Sequence, residues 1–214
     1  MKTKRNFLRR SLVPVAALVA SGILLVGCTT PSPTPSDSPS ASTTAPATTM
    51  APTPTAGATQ VAPKDSKEAI AQATAVAKQY WAISDEILND GGKGSDRINA
   101  VAVGQARTFV VDSAANLAEQ KITFTGKRGF EATEATSSDL TVTDKSGDKV
   151  VKDGFVGLTV CNDVSGVSGT NADGSPAKMS SVLRSINSVE VEFDPAAGKW
   201  FVSRYPTPSG VIAC

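Results

Sequence analysis

The hydrophobic pattern of the chain changes character three times. Residues 12–26 form an almost unbroken apolar run, interrupted at Pro14 and Ser21. Residues 29–63 are nearly all Thr, Pro, Ala and Ser, with Asp37 the one charge. From Ser66 the apolar positions recur at helical spacing: Ile70, Ala73, Ala77, Tyr80, Trp81, Ile83, Ile87 and Leu88 share one side of a helix of that pitch. Asp65 or Ser66 serves as its N-cap, with Glu68 behind it in a capping-box-like opening, and Gly91-Gly92 supply the C-terminal turn. A second helical stretch begins at Ser95 and continues through "QARTFVVDSAANLAEQ". Gly104 inside it costs about 1 kcal/mol relative to Ala, which predicts a break or bend there.

Beyond Lys121 the period falls to two. "KITFTGKRGFEATEATSSDLTVTD", "GFVGLTVCNDVSGV", "SVLRSINSVEVEF" and "WFVSRY" alternate and are rich in β-formers. They are separated by "KSGDK", by a loop "SGTNADGSPAK", and by "DPAAGK", a tight hairpin turn. Helices first and strands afterwards predict an α+β domain over residues 64–214, its helices packed on one face of a curved, mainly antiparallel sheet of about five strands.

The apolar run at the start explains where such a domain works. Its N-terminal flank carries Lys2, Lys4, Arg5, Arg9 and Arg10 and no acid, the arrangement of a signal peptide over residues 1–27. Arg9-Arg10 suggests twin-arginine export, but Leu8 stands where Ser or Thr is usual, which favours ordinary secretion. The run closes on Leu25-Val26-Gly27-Cys28, which looks like a bacterial lipobox. Cleavage between Gly27 and Cys28 leaves a cysteine whose thiol takes a diacylglycerol and whose freed amine is open to acylation. Each buried methylene contributes about 0.8 kcal/mol, and two chains hold a protein where one does not. The predicted partner is therefore the bilayer, through acylated Cys28, on the extracytoplasmic face of the cell membrane. Residues 28–63 read as a disordered tether, about 35 Å across as a coil and approaching 100 Å extended.

Removing the signal peptide leaves 16 basic against 20 acidic residues, a formal charge of −4. That balance argues against nucleic acid as a partner. With Cys28 lipidated, Cys161 and Cys214 remain, an even pair in an exported chain, which predicts a disulfide. The rival reading, a reactive thiol pair, lacks CxxC spacing.

The domain also resembles small actinobacterial lipoproteins with a nuclear-transport-factor-2-like fold, a cone of helices over a curved sheet. "AKQYW" (77–81), "AVAVGQA" (100–106), "VCNDVSG" (160–166), "NADG" (171–174) and "GKWFVS" (198–203) with the terminal Cys carry the resemblance. It implies the same pairing of the strand Cys with the C-terminal Cys, and names a fold more than an activity.

The chain contains no histidine, which removes Ser-His-Asp and Cys-His chemistry and His-ligated zinc. No cofactor or metal motif is present: "GGKGS" lacks P-loop spacing, and "NADG" and "DKSGD" read as turns rather than calcium loops. Enzymes of the resembled cone use Asp and Tyr in an apolar pocket, and Tyr80, Asp112 and Asp139 are the candidates here for an isomerase- or hydrolase-like site. Each has a plainer reading: Tyr80 as a core or rim aromatic, Asp112 as a solvated helix residue, Asp139 as a turn residue. Asp163 reads as an anchor for the turn that follows it. The sequence therefore favours a non-catalytic binding or accessory module of the envelope, taking a small apolar ligand in the cone or a protein on the sheet face. A passive envelope protein, homodimerising through the open sheet, is the remaining alternative.

Overall fold

A computed structural model describes residues 60–205 and 212–214. The expected signal peptide, its expected cleavage and lipidation residues Gly27 and Cys28, and the expected tether up to residue 59 lie outside the described residues. No helix among those described is long and apolar enough to cross a membrane.

Helix α1 spans Ser66–Asn89. Asp65 is its N-cap, its Oδ1 accepting from the Glu68 amide at 2.8 Å, while Glu68 Oε2 accepts from the Lys64 amide at 3.0 Å. These bonds satisfy amides that the first turn would otherwise orphan. The helix ends where Gly91 and Gly92 take positive φ. Gly92 is needed twice over, since a Cβ there would stand 2.1 Å from the Ala114 carbonyl oxygen. That contact brings the exit of α1 against the next helix.

The second helical stretch breaks at Gly104, as its sequence predicts. Ser95–Ala100 is 3-10 helix, and α2 runs Gly104–Gln120. Between them residues 101–103 lie along an edge of the main sheet: the Val202 amide donates to Val101 O at 2.9 Å and the Val103 amide to Val202 O at 3.0 Å.

Six strands follow, in two sheets rather than one sheet of about five. β2 (Gly129–Asp144), β3 (Gly147–Asp163), β5 (Arg184–Asp194) and β6 (Lys199–Arg204) form an antiparallel four-stranded sheet in that order. β1 (Thr123–Gly126) and β4 (Val167–Thr170) form a separate antiparallel pair. Two sequence expectations are corrected here. The strand-rich stretch after Lys121 divides at Lys127-Arg128 into strands of two different sheets where one sheet was expected, and the loop "SGTNADGSPAK" contributes part of β4. Neither short strand shows an apolar alternation, because neither buries a side-chain face; only Gly169 among their residues is buried.

The main sheet buries one face. Val156, Leu158 and Val160 of β3, Val189, Val191 and Phe193 of β5, and Trp200 and Val202 of β6 point at α1 and α2. They meet Ala69, Ala73, Val76, Ala77, Tyr80, Trp81 and Ile87 from α1, and Ala106, Val110 and Ala114 from α2. Alanines at the helix side of the contact let the helices lie close, and both tryptophans find acceptors: Trp81 Nε1 donates to Asn162 Oδ1 at 3.0 Å and Trp200 Nε1 to Gln72 Oε1 at 2.7 Å. The opposite face is mixed: Glu134, Thr136, Thr159, Ser188, Glu190 and Glu192 lie on it, with half-buried Phe155 and Phe201 paired to either side of Glu192. β2 is the outer strand on one side, and two register shifts, between Ala132 and Glu134 and between Ser138 and Leu140, interrupt its ladder. Such bulges discourage pairing with a further strand.

Cys161 on β3 and Cys214 form the predicted disulfide, with Cα atoms 6.0 Å apart and a sequence separation of 53. The Ile186 amide donates to Ile212 O at 2.8 Å, so the C-terminus is held to β5 beside the bridge.

Candidate functional site

Two rows of side chains at helical spacing face each other across a cleft. On α1 they are Tyr80, Ser84 and Leu88; on α2, Phe109, Ser113 and Leu117. Each row reads aromatic, Ser, Leu at i, i+4 and i+8, which a helix stacks on one side. Phe124 of β1, Arg128 from the β1–β2 connection and Tyr205 after β6 complete the lining of a cavity of about 340 Å³. A second cavity of about 170 Å³ lies across Leu88, Phe124 and Arg128, bounded by Val164, Val167 and Met179.

The walls are less polar than their residue names suggest. Ser84 Oγ donates to Tyr80 O at 2.6 Å, and Ser113 Oγ donates to Phe109 O at 2.7 Å. Both hydroxyl protons are thus spent on the carbonyl one turn back, a bond open to serine in helices. Gln120 Nε2 donates to Asn116 Oδ1 along the same helix. Tyr80 is buried and its hydroxyl donates to Ala106 O at 3.1 Å. Tyr205 joins an aromatic cluster, its ring centroid 5.3 Å from Phe109, 5.4 Å from Trp81 and 6.4 Å from Tyr80. Phe109 remains 40% exposed at the rim although it is large and apolar.

The charge at the base of the cleft is a pair. Arg128 Nε donates to Asp85 Oδ1 at 2.5 Å, and the Arg128 backbone amide donates to Asp85 Oδ2 at 2.9 Å. The two side chains are only 15% and 10% exposed. Both Asp85 oxygens are therefore occupied. Arg128 Nη2 is not: it is buried and has no hydrogen-bond partner among the described residues. Burial pushes the Tyr80 hydroxyl well above the ordinary tyrosine range, against the pull of Arg128 and with a further push from Tyr205. Burial likewise raises Tyr205, again opposed by Arg128. The guanidinium thus acts on both phenols, but neither is near ionisation at neutral pH.

The three residues nominated as an enzyme's acid–base set are not brought together. Tyr80 lines the cleft with its proton committed to a backbone carbonyl. Asp112 is exposed on α2 and is not in the cleft lining. Asp139 is not a turn residue: it sits within β2 at the second bulge, where its Oδ1 accepts from the Asp153 amide at 2.9 Å and steadies a residue with φ of 52°. Asp163 does hold the following turn, accepting from the Ser165 amide at 2.8 Å, and the Ser165 hydroxyl, with this amide second, lowers its carboxyl below the usual range. "NADG" is a turn as well, closed by Gly174 N donating to Asn171 O at 3.0 Å. Among the described residues no group of three or more Cys, Asp or Glu side chains is placed to hold a metal.

Sequence reasoning did not single out Asp85, Phe109, Leu117, Phe124, Arg128 or Tyr205. The repeated aromatic-Ser-Leu row was a usable signal for the walls. Nothing in the sequence pairs Asp85 with Arg128, 43 residues away.

No protein-family model matches this chain, and no curated protein matches it. Among solved structures, the intermembrane space region of the chloroplast protein ARC6 is similar at 12% identity, with a TM-score of 0.40, covering 65% of this chain and 92% of that one. A likeness this low assigns neither a family nor a function.

Proposed function

We propose that this protein is a lipid-anchored module of the extracytoplasmic membrane face, non-catalytic, that binds a small apolar ligand in the cleft between α1 and α2. The observation that carries the reading is the cleft itself, a mainly apolar cavity of about 340 Å³ in which the hydroxyl protons of Tyr80, Ser84 and Ser113 are already committed to backbone carbonyls. Pockets of that size and lining take small ligands. Chemistry on such a ligand needs a proton donor or acceptor left free, and two carboxylates or a Tyr–carboxylate pair converging on it. Asp112 and Asp139 are not among the lining residues, and both Asp85 oxygens accept from Arg128. The bulged β2 edge disfavours strand addition there, which favours the cleft as the working surface. Two helices laid across the buried face of an antiparallel sheet support the nuclear-transport-factor-2-like cone as the frame of the site. The lipobox at Leu25–Cys28 supports the anchor, and the Cys161–Cys214 disulfide agrees with an oxidising compartment.

Native mass spectrometry of the mature chain, exported by its own host and purified gently, tests the reading. The expected result is a mass excess that disappears on denaturation and is absent from a Leu117→Trp variant, whose indole fills the cleft. An excess that persists in Leu117→Trp, or none in either protein, overturns it.

A further inference from the structure

The ligand's chemistry follows from the pair at the base of the cleft, and this inference rests on the cleft being the binding site. From the Asp85–Arg128 geometry we infer that the ligand is an uncharged amphiphile, an apolar body bearing one oxygen acceptor, and that this oxygen meets the edge of the Arg128 guanidinium that Asp85 leaves free.

A guanidinium carries five N–H donors in a fixed fork. Asp85 accepts one of them, at Nε. Nη2 is buried without an acceptor among the described residues, and Arg128 lines both cavities. A buried donor left unmade costs more than a typical hydrogen bond contributes, and more again when it is charged. An occupant that supplies an oxygen removes that cost. Among the described residues none is bonded to Nη2, and the hydroxyls of Tyr80, Ser84 and Ser113 are turned to carbonyls of their own or the neighbouring helix.

The oxygen belongs to a neutral group for a reason of charge. Asp85 already balances Arg128, and both of its oxygens are taken, one by Nε and one by the backbone amide. A ligand carboxylate would bring a second negative charge beside Asp85 in a site of low dielectric. Its attraction to Arg128 would be largely cancelled by repulsion from Asp85, leaving the cost of removing the ion from water. A hydroxyl, ketone or ester oxygen accepts from the fork without that cost. The body lies between the two aromatic-Ser-Leu rows, and the smaller cavity beyond Leu88 and Phe124 leaves room for a longer chain.

The test uses the mature chain carrying Cys28→Ser, so that neither lipid nor detergent competes, with 1-octanol and octanoate as probes at pH 8. Binding is followed by calorimetry and by the Arg128 Nε–H resonance. The expected result is saturable octanol binding, octanoate at least tenfold weaker, and a shift of the Arg128 resonance with octanol. Arg128→Lys, which keeps the charge but not the fork, weakens octanol about tenfold. Octanoate binding as tightly as octanol, or an unmoved Arg128 resonance at octanol saturation, overturns the inference while the cleft reading stands, provided Leu117→Trp abolishes binding. Should Arg128→Lys fail to fold, the wild-type resonance and the octanol-to-octanoate ratio still decide. Absence of any saturable octanol binding overturns both readings.

Discussion

The two sheets of this domain are built by different forces. In the four-stranded sheet, alternate residues of β3, β5 and β6 are buried, and the strands exist because burying that face against α1 and α2 is favourable by about 25 cal/mol per Å² of apolar surface. In the β1–β4 pair, four residues meet four, and nearly all are exposed or half-buried. What brings them together is backbone proximity. Gly126 has φ of 95°, and a Cβ there would stand 1.9 Å from Gly166 O; a Cβ on Gly169 would meet the Phe124 ring at 2.9 Å. The first sheet is held by a hydrophobic face, the second by the absence of side chains where two chains cross. Yet the small pair adjoins the cleft: Phe124 of β1 lines both cavities and Val167 of β4 lines the smaller one. The robust sheet carries the fold, and the slight one shapes the cleft.

The difference is open to experiment, beginning with the largest effect. Trp200→Ala removes a fully buried indole that stacks edge-on with Phe193, at a centroid distance of 5.6 Å, and donates to Gln72. It is expected to cost about 3–5 kcal/mol in chemical denaturation and to loosen the whole domain. A loss below about 1 kcal/mol would mean that the main sheet does not depend on its buried face.

Gly126→Ala should cost less, about 1–3 kcal/mol, because an L-residue is strained at that φ and its methyl meets backbone. Hydrogen exchange sharpens the contrast. Amides of Thr123–Gly126 and Val167–Thr170 should lose protection while those of β3 and β5 keep theirs. Uniform loss across both sheets would show that the small pair belongs to the same cooperative unit as the large one.

The smallest effect reports on how dry the boundary between the two regions is. Tyr80 has a folded-state pKa raised above the usual 10.0 by burial. Its protonated form is favoured in the folded state, so this contribution is fully present below pH 10 and is lost as pH rises beyond it. By pH 10.5 the expected loss is under about 1 kcal/mol, with a limiting slope near 1.4 kcal/mol per pH unit for one proton. Tyr80→Phe should flatten the stability profile between pH 10 and 11 by that amount. An identical profile in wild type and variant would mean that water reaches the hydroxyl.

Much of the scaffold was legible because its signals are local or periodic. The Asp65 cap, the Gly91-Gly92 stop and the break at Gly104 each follow from one or two residues and the backbone conformation they permit. The Cys161–Cys214 bridge followed from the even pair of thiols left once Cys28 is set aside for the expected lipid anchor. The site was less legible. Tyr80 was visible as an aromatic on a helix face, but its neighbour Arg128 lies in a connection between strands with no pattern of its own, and Asp139 looked like a turn residue because a bulge interrupts the alternation around it.

What the sequence determined by itself is therefore whatever depends on the spacing of apolar residues and on single-residue backbone preferences: two helical stretches, the strands of the main sheet, the disulfide, and the lack of histidine chemistry. What only the tertiary structure decided is whatever depends on residues far apart meeting in a dry place. The β1–β4 pair, the facing of the two aromatic-Ser-Leu rows, and the burial of Arg128 between Asp85 and the cleft all need the packed domain. The physical reason is that periodicity records which side of an element is apolar, while a cleft is made by how two such sides fail to close completely, and that residual gap is written in no local stretch of the chain.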